Sequence, residues 1–497
     1  MSDQIYLYIA LGLYFAFMLL IGYLAYRRTS GHEGYMLAGR GLPPWVAALS
    51  AGASDMSGWL IMGLPGAIYL AGLIEGWIAV GLTLGAYANW LIVAPRLRAY
   101  TEVSRNSITV PSFLENRLRD RSHLLRIVSS IIILVFFTLY ISSGMVSGGV
   151  FFESSFNGDY LVGMLLVTVV TLGYTLFGGF LGASLTDVVQ GLMMVVALVI
   201  VPVAAIVAVG GWGEAVDLIT RLGPHHFDVF GGTGLTSATV ISVLSGLAWG
   251  LGYFGQPHVI VRFMALRKPQ EATSARRIGI VWQIISLTGA VFAGLVGVAY
   301  IEQEGIDLAD PEAITLVMSQ ALLHPLIAGL VLAAVLAAIM STFSSQLIVC
   351  SSALVEDIYT VLKKDPPQKK TLVVLGRVCV LAVALVAAIL AVSPNDTILG
   401  LVGFAWAGFG ASFGPVVLLS LFWRKLTQWG ALAAMVVGAV TVFAWSDAEG
   451  GLFDLYELLP GFFFALVTAV VVSLATYRRD EEIEEEFDAA VAMVRAA

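Results

Sequence analysis

Long apolar stretches recur along this chain, and each is near the roughly 20 residues that a helix needs to cross a bilayer. Only 12% of the 497 residues are charged, whereas soluble domains carry about 25%. We therefore predict an all-α integral membrane protein with about thirteen transmembrane helices. The predicted spans are 5–26, 43–71, 73–94, 126–151, 160–181, 188–209, 238–258, 278–300, 324–354, 371–392, 397–422, 428–446 and 453–477.

The distribution of charge predicts the orientation of these spans. With the N-terminus outside and thirteen spans, every Lys and Arg of the 26 except Arg221 lies on the cytoplasmic side, as the positive-inside rule requires. We therefore predict an external N-terminus, a cytoplasmic C-terminus, one transmembrane domain over 1–479 and a short acidic cytoplasmic tail over 480–497. This tail contributes to the net charge of −8, which does not suggest nucleic-acid binding.

Two of the predicted spans contain helix-breaking sequences. The first holds Asp55 between Gly52 and Gly58, and a carboxylate at that depth costs at least a few kcal/mol unless it is paired, hydrated or bound to an ion. The second, Ser245–Pro257, has four glycines and a proline in thirteen residues, which disfavours a continuous helix. The two spans lie five apart and so cross with opposite polarity. This indicates the inverted repeats of secondary transporters, with core repeats at about 43–209 and 238–422.

A pair of hydroxyls in the ninth span is a candidate cation site. Ser341 and Thr342 follow Ala338 by three and four residues, so they lie on the helix face that its carbonyl borders. With carbonyls freed by the break near Ala53 and Met56, they would form a five-oxygen cage suited to a monovalent cation. Alternatively, both hydroxyls bond to the preceding helical turn. The spacing leaves both interpretations open.

The first break and its aromatic neighbours suggest a ligand pocket. Asp55 either binds an ion or substrate, or accepts hydrogen bonds from N–H groups that the break leaves open. Trp59, Trp249 and Tyr253 accompany the two breaks, and with Tyr140 they would wall an apolar pocket for a small amphipathic solute. Any one of these rings, taken alone, is more simply a packing or lipid-facing residue.

Five further residues have simple structural explanations. Gly58 lets the backbone turn, and Pro257 kinks its span. Asp187 opens the sixth span, where the helix dipole favours a carboxylate, with ion exit as the alternative. Arg40 and Arg262 are cytoplasmic cations that set topology or contact lipid headgroups. The chain shows no zinc-binding histidine pair, nucleophile elbow or phosphate loop, so an enzyme is not expected.

Three long segments, 53–66, 178–191 and 249–258, resemble the sodium/solute symporter family. The likeness runs from Arg40 through Lys425 and is greatest to the proline-transporting bacterial branch of that family. It implies a LeuT-type core of two inverted five-helix repeats with broken first helices. It also implies sodium-coupled symport of L-proline into the cell by alternating access, across the bacterial cytoplasmic (inner) membrane.

The resemblance also implies roles for individual residues. The sodium ligands would be the carbonyls and hydroxyls of Ala53, Met56, Ala338, Ser341 and Thr342. The substrate-binding residues would be Asp55, Ser57, Gly58, Trp59, Tyr140, Trp249, Tyr253 and Pro257. Residues for sodium coupling or ion release would be Asp55, Arg40 and Asp187. No catalytic residue is implied.

Other functions are compatible with parts of this pattern. A related symporter would carry another small solute in a pocket of different shape. Proton coupling through Asp55 would make the Ser341–Thr342 pair dispensable. A channel or a membrane-embedded sensor belongs to a different class, and a sensor usually needs a signalling domain. Neither a nucleic acid nor an obligate protein partner is indicated; the expected partners are sodium, L-proline and the lipid bilayer.

Overall fold

The computed structural model describes residues 3–28, 37–363 and 369–495, and this part of the chain is helical, with one isolated backbone bridge between Leu42 and Leu266. The last two residues of the predicted acidic tail lie outside the described residues. The helices are α1 Asp3–Arg28, α2 Pro44–Asp55, α3 Leu64–Ala71, α4 Gly76–Ala88, α5 Ala94–Val103, α6 Val110–Leu118, α7 Leu124–Phe156, α8 Tyr160–Ala208, α9 Trp212–Leu222, α10 Ser237–Ala248, α11 Pro257–Met264, α12 Ala272–Glu304, α13 Ile314–Leu322, α14 Pro325–Ser352, α15 Lys369–Ala391, α16 Ile398–Phe422, α17 Gln428–Ser446, α18 Leu458–Thr476 and α19 Glu481–Arg495.

Within the described ranges, eleven helices are long and apolar enough to cross a membrane, and a bent pair brings the number to twelve. Helix α8 is interrupted at Gly179, whose φ of 59° and ψ of −164° are accessible essentially to glycine alone. Its first part, Tyr160–Leu176, is apolar but shorter than the other spans. The all-α membrane class is confirmed, whereas the count of thirteen stays a prediction.

The first predicted break is present. Helix α2 ends at Asp55, Met56 leaves the helical conformation with φ −85° and ψ 88°, and a π-helical turn over Trp59–Gly63 leads into α3. The two halves of this span meet at an angle of 66°. Backbone carbonyls before the break therefore lose their usual helical partners and become available to side chains.

The second break has a different form. Helix α10 ends at Ala248, a tight 3-10 segment covers Trp249–Gly255, and extended Gln256 precedes α11. A Cβ at Gly252 would lie 1.9 Å from the indole nitrogen of Trp406 in α16. Glycine is therefore needed here because the backbone lies directly against a tryptophan ring.

Helix α14 forms the centre of the bundle. Every residue from 331 to 348 is buried, and α14 packs against α1, α7, α8 and the first broken span. A polar side chain in this stretch therefore has no access to bulk water or lipid, and it must find its partners inside the protein.

Candidate functional site

The carboxylate of Asp55 connects the two broken spans directly. It is fully buried, and its Oδ2 accepts a hydrogen bond of 2.5 Å from the hydroxyl of Tyr253. The amide of Gln283 in α12 donates to the same hydroxyl at 3.1 Å. Among the described residues, Asp55 Oδ1 has no hydrogen-bond partner. A buried carboxylate oxygen without a partner is costly, so this atom is available to a ligand or ion.

The backbone carbonyl of Asp55 is also engaged by side chains. Tyr140 in α7 donates its hydroxyl to this oxygen at 3.2 Å, and the indole N–H of Trp59 donates to it at 3.3 Å. These bonds replace the helical partner that the break removes, and they fix both rings beside the break. The structure thus places Tyr140 and Trp59 beside Asp55.

Three of the five predicted cation ligands, Ala53, Ala338 and Ser341, are in contact. The hydroxyl of Ser341 lies 2.6 Å from the Ala53 carbonyl and 3.0 Å from the Ala338 carbonyl and shares its one proton between them, so it connects the first break with α14. Thr342 Oγ1 is buried without a hydrogen-bond partner in the described part of the chain. Met56 is fully buried at the break itself. The alternative, in which both hydroxyls bond to the preceding helical turn, therefore holds only in part. It accounts for the contact of Ser341 with Ala338, but it does not apply to Thr342.

Gly58 has a different role from the one expected. Its φ of −52° and ψ of −28° are ordinary helical values that any residue adopts. A Cβ here would lie 2.7 Å from Ser147 Oγ and 3.3 Å from Ile339 Cγ1. The glycine is needed because α7 and α14 approach the broken span closely, and the expectation that it serves a backbone turn is corrected. Ser57, its neighbour, is buried in the break.

The predicted rings form a cluster with two aromatic residues that sequence reasoning missed. Trp59 and Trp249 lie 6.2 Å apart between ring centroids. Trp406 contacts Tyr253 edge-to-face at 5.1 Å, and Tyr456 stacks on Trp249 at 5.2 Å. The glycine-rich sequence around Trp406 signals close packing. Nothing in the sequence near Tyr456 marks it.

Two polar residues were also missed. Gln283 is the amide that supports the Tyr253 hydroxyl, and a lone amide in an otherwise apolar span is a recognisable signal. His258 is fully buried, and its ring lies 6.1 Å from that of Tyr140. It directly follows Pro257, which is buried as the first residue of α11, where proline is favoured. The kink expected at Pro257 is therefore a helix start.

Asp187 lies inside its helix, which corrects its expected place at a helix N-terminus. The sixth span begins at Gly179, so Asp187 is two turns further along. Its Oδ2 accepts from Ser50 at 2.7 Å and from Arg262 at 3.1 Å, and both charged groups are buried.

Arg262 is correspondingly not a headgroup-contacting cation. It also donates to Ser345 at 2.7 Å. Ser345 lies one turn after Ser341, and Ser50 lies about one turn before Ala53. The Asp187–Arg262 ion pair, which contacts both serines, is therefore about one helical turn away from the candidate cation site. Removal of one partner from such a pair typically costs about 3–5 kcal/mol.

Arg40 is not brought to the pocket. Its guanidinium donates to the Met264 carbonyl at 2.8 Å, to the Ser107 carbonyl at 2.8 Å and to Thr101 at 3.1 Å. Met264 is seven residues beyond Pro257, or ~10 Å along the helix. Arg40 therefore holds together the ends of α5 and α11, away from Asp55.

Comparison with known proteins identifies the family. The model of the sodium:solute symporter family matches residues 35–438. The chain belongs to this family. It is a multi-pass membrane transporter and not an enzyme, and sodium is the coupling ion of the family.

The chain has similar relatives of full length. It is 56% identical over 472 residues to the high-affinity proline transporter PutP of Bacillus subtilis, covering 95% of this chain and 98% of that protein. It is 52% identical to the osmoregulated proline transporter OpuE of the same organism, covering 95% of each. The sodium/proline symporter of Staphylococcus aureus is 48% identical, covering 98% of this chain and 96% of that protein.

Solved structures show the same fold. A Na⁺-coupled sialic acid symporter in a substrate-bound outward-open state matches with a TM-score of 0.78 at 21% identity, covering 95% of this chain and 98% of that one. MhsT in complex with L-phenylalanine matches with a TM-score of 0.52 at 16% identity, covering 87% and 98%. These likenesses concern the fold, and they confirm the predicted LeuT-type class.

Proposed function

We propose that this chain imports L-proline together with sodium, by alternating access, across the bacterial cytoplasmic (inner) membrane. The single observation that carries the proposal is the direct contact between the two breaks, in which Tyr253 donates to Asp55. The three relatives named as proline transporters are 48–56% identical over nearly the whole chain. This supports proline as the solute.

The proposed sodium site uses oxygens of the first break and of α14. The Ser341 hydroxyl already lies within hydrogen-bond distance of the Ala53 and Ala338 carbonyls, and the unpartnered Thr342 hydroxyl supplies a further ligand. With the Met56 carbonyl, these make five neutral oxygens, which suit a hard monovalent cation. We assign Asp55 to sodium-dependent substrate binding through its unpartnered Oδ1.

The proposed proline site is the aromatic cluster between the breaks. Proline has an apolar ring and a zwitterionic end, so it needs an apolar wall and a few polar groups. Trp59, Trp249 and Tyr253 supply the wall, with Tyr140 across the break and Pro257 at the start of α11. Ser57 and Gly58 tune the approach of the neighbouring helices to this site.

Sodium binding would order the pocket because its ligands come from two separate spans. The ion draws the first break against α14, which completes the walls around the proline. The occupied protein then opens on the other side. We further assign Asp187, paired with Arg262 about one turn below the cage, to ion release. Arg40 affects coupling indirectly, through the helix ends that it holds together.

The sodium gradient is a sufficient energy source. One charge crossing 100 mV gives about 2.3 kcal/mol, and a tenfold sodium gradient gives about 1.4 kcal/mol more. Together they support roughly 500-fold accumulation of proline.

We place the N-terminus outside and the C-terminus in the cytoplasm, since this puts all but one of the 26 Lys and Arg inside. The transmembrane domain then covers 1–479, with repeats at about 43–209 and 238–422, and the acidic segment 480–497 is cytoplasmic.

The test is uptake of radiolabelled L-proline into proteoliposomes with one driving force at a time. We expect accumulation with an inward sodium gradient, and none with potassium or with a pH gradient alone. Equal uptake in sodium and potassium would refute sodium coupling, and uptake driven by pH alone would assign the coupling to a proton on Asp55. Competition by other unlabelled amino acids, sugars and carboxylates separates proline from other solutes.

A further inference from the structure

A basic cavity lies where two of the last spans end. It has a volume of about 740 Å³ and lies between the start of α17, the end of α18 and the loop after α6. Five arginines line it, against two carboxylates, Asp480 and Glu484. The arginines are Arg119, Arg121, Arg424, Arg478 and Arg479. Such a concentration of guanidinium groups is suited to a phosphate group.

The neighbouring cavity provides an internal comparison. It has a volume of about 630 Å³ and shares Arg119 and Arg121 with the first. It has only one further arginine, Arg105, and its five carboxylates come from Glu115, Asp120, Asp480, Glu481 and Glu482. An anion is therefore favoured in the first cavity and disfavoured in the second. The positive charge is a property of this cavity and not of the whole face of the protein.

The basic cavity lies at the level of the bilayer surface. Helix α17 begins at Gln428 and α18 ends at Thr476, so the lining includes the ends of two apolar helices. Trp429 lines the cavity and is 47% exposed, which is typical of an interfacial tryptophan. Leu474, 56% exposed on α18, lies just beyond the cavity toward the apolar part of the span. A ligand in the cavity can thus extend an apolar tail along α18.

Two of the five arginines are free to bind a ligand. Arg119 pairs with Glu482 and Glu486, Arg424 with Asp488, and Arg479 with Glu484, all in the C-terminal helix α19. Arg121 and Arg478 are exposed and form no ion pair with any described residue. The acidic helix therefore neutralises three cations and leaves two.

We propose that this cavity binds the phosphate of an anionic phospholipid headgroup, with Arg478 and Arg121 as its main contacts. The volume suits a headgroup, and basic pockets between the ends of transmembrane helices recognise such lipids. An inorganic phosphate shares the chemistry but not the adjoining apolar surface. The inference concerns neither sodium nor proline, and the bilayer has phosphates on either side, so it does not depend on the proposed transport function or orientation.

The experiment measures lipid retention by the purified full-length protein in detergent. Mixed micelles with phosphatidylglycerol or phosphatidylcholine are added at equal mole fraction, and bound lipid is counted by native mass spectrometry. Inorganic phosphate at millimolar concentration is a third arm. We compare the parent with an Arg121→Gln, Arg478→Gln double variant. The control is Arg221→Gln, because Arg221 is exposed on α9 and lies outside this cavity.

We expect the parent and the control to retain at least fivefold more phosphatidylglycerol than phosphatidylcholine, and the double variant to retain the two equally. Because both substituted side chains are exposed, folding should be preserved, and an unchanged elution volume and melting temperature would verify this. Equal retention of both lipids by the parent, or an undiminished preference in the double variant, would overturn the proposal. If millimolar inorganic phosphate displaces phosphatidylglycerol, the cavity binds free phosphate and the proposal of a lipid ligand is wrong.

Discussion

The two broken spans differ in what they contribute to the pocket. The first is interrupted over two residues, Met56 and Ser57, and the oxygens around its break accept from the side chains of other helices. The second is interrupted by a 3-10 segment that carries Trp249 and Tyr253 into an aromatic cluster. The first break therefore supplies oxygen atoms, whereas the second supplies rings.

This difference suggests a division of labour between the two repeats. Oxygens are the ligands of a hard cation, and rings are the walls of a pocket for an amphipathic solute. The Asp55–Tyr253 hydrogen bond is the point where the two meet. Substitutions in the first break should therefore weaken mainly the binding of sodium. Substitutions in the second break should weaken mainly the binding of proline.

The largest effect is expected for Asp55→Asn, which removes the negative charge at the contact between the two broken spans. The asparagine can still accept from Tyr253, but it no longer attracts a cation or an ammonium group. We expect sodium-driven proline uptake to fall on the order of 100-fold, equivalent to ~2.7 kcal/mol. The control is Asp447→Asn, in an exposed position after α17. Uptake within twofold of the parent would remove Asp55 from the site.

The next effect concerns the oxygens of α14. Ser341→Ala combined with Thr342→Ala removes two of the five proposed ligands. We expect the sodium concentration for half-maximal uptake to rise by about tenfold or more, or ~1.4 kcal/mol, with the maximal rate less affected. Thr168→Ala is the control, because its hydroxyl donates to the Met164 carbonyl in the preceding turn of the same helix. If the double variant keeps the sodium dependence of the parent, the proposed five-oxygen sodium site is wrong.

Trp249→Ala tests the second break. This ring contacts Trp59 and Tyr456, and its loss should weaken proline binding by roughly tenfold, since a buried aromatic contributes a few kcal/mol, part of which is regained by repacking. The sodium requirement measured at saturating proline should hardly change. If this variant loses as much affinity for sodium as for proline, the proposed division between a sodium-binding first break and a proline-binding second break is wrong. Trp212→Ala, in an exposed position at the start of α9, is the matched control.

The smallest effect concerns a carboxylate that packs against α3, the second half of the first broken span. Glu312 lies in the loop before α13, and both its carboxylate oxygens accept from the start of α16, from the N–H groups of Ile398 and Leu399. Burial raises the pKa of Glu312 to about 7, although those two hydrogen bonds lower it. The folded state therefore holds this proton more tightly than the unfolded state, and the associated stability is lost as the pH rises through 7.

We accordingly expect the melting temperature to fall by a few degrees between pH 5 and pH 8, and Glu312→Gln to flatten this dependence. Thermal unfolding followed by intrinsic fluorescence measures both slopes. Parallel pH profiles for the parent and the variant would show that Glu312 does not carry the effect.

The sequence predicted those features that depend on a residue and its immediate neighbours in the chain. A carboxylate such as Asp55 inside an apolar run is expensive wherever the chain goes, and adjacent hydroxyls such as Ser341 and Thr342 share a helix face by their spacing alone. In the structure Asp55 accepts from Tyr140 and Tyr253, and Ser341 donates to Ala53. Their assignment to sodium and proline remains a proposal.

Features that depend on contact between distant segments were not predictable from one sequence. Asp187 and Arg262 are far apart in the chain, and their pairing arises only when α8 and α11 both pack against α2. Gly58 was assigned to a turn because the closeness of Ser147 cannot be read from its neighbours. Trp406 joins the ring cluster through the glycine-lined contact of α16 with the second break.

The most direct test of the division between oxygens and rings is equilibrium binding of labelled L-proline to the purified protein as sodium is varied. If sodium completes the pocket, the Kd for proline should fall at least tenfold from sodium-free to saturating conditions. By linkage, proline should raise sodium affinity by the same factor. The Ser341→Ala, Thr342→Ala variant should lose this shift while its sodium-free Kd stays that of the parent. A proline Kd that is the same with and without sodium, or a full shift in the double variant, would contradict the account.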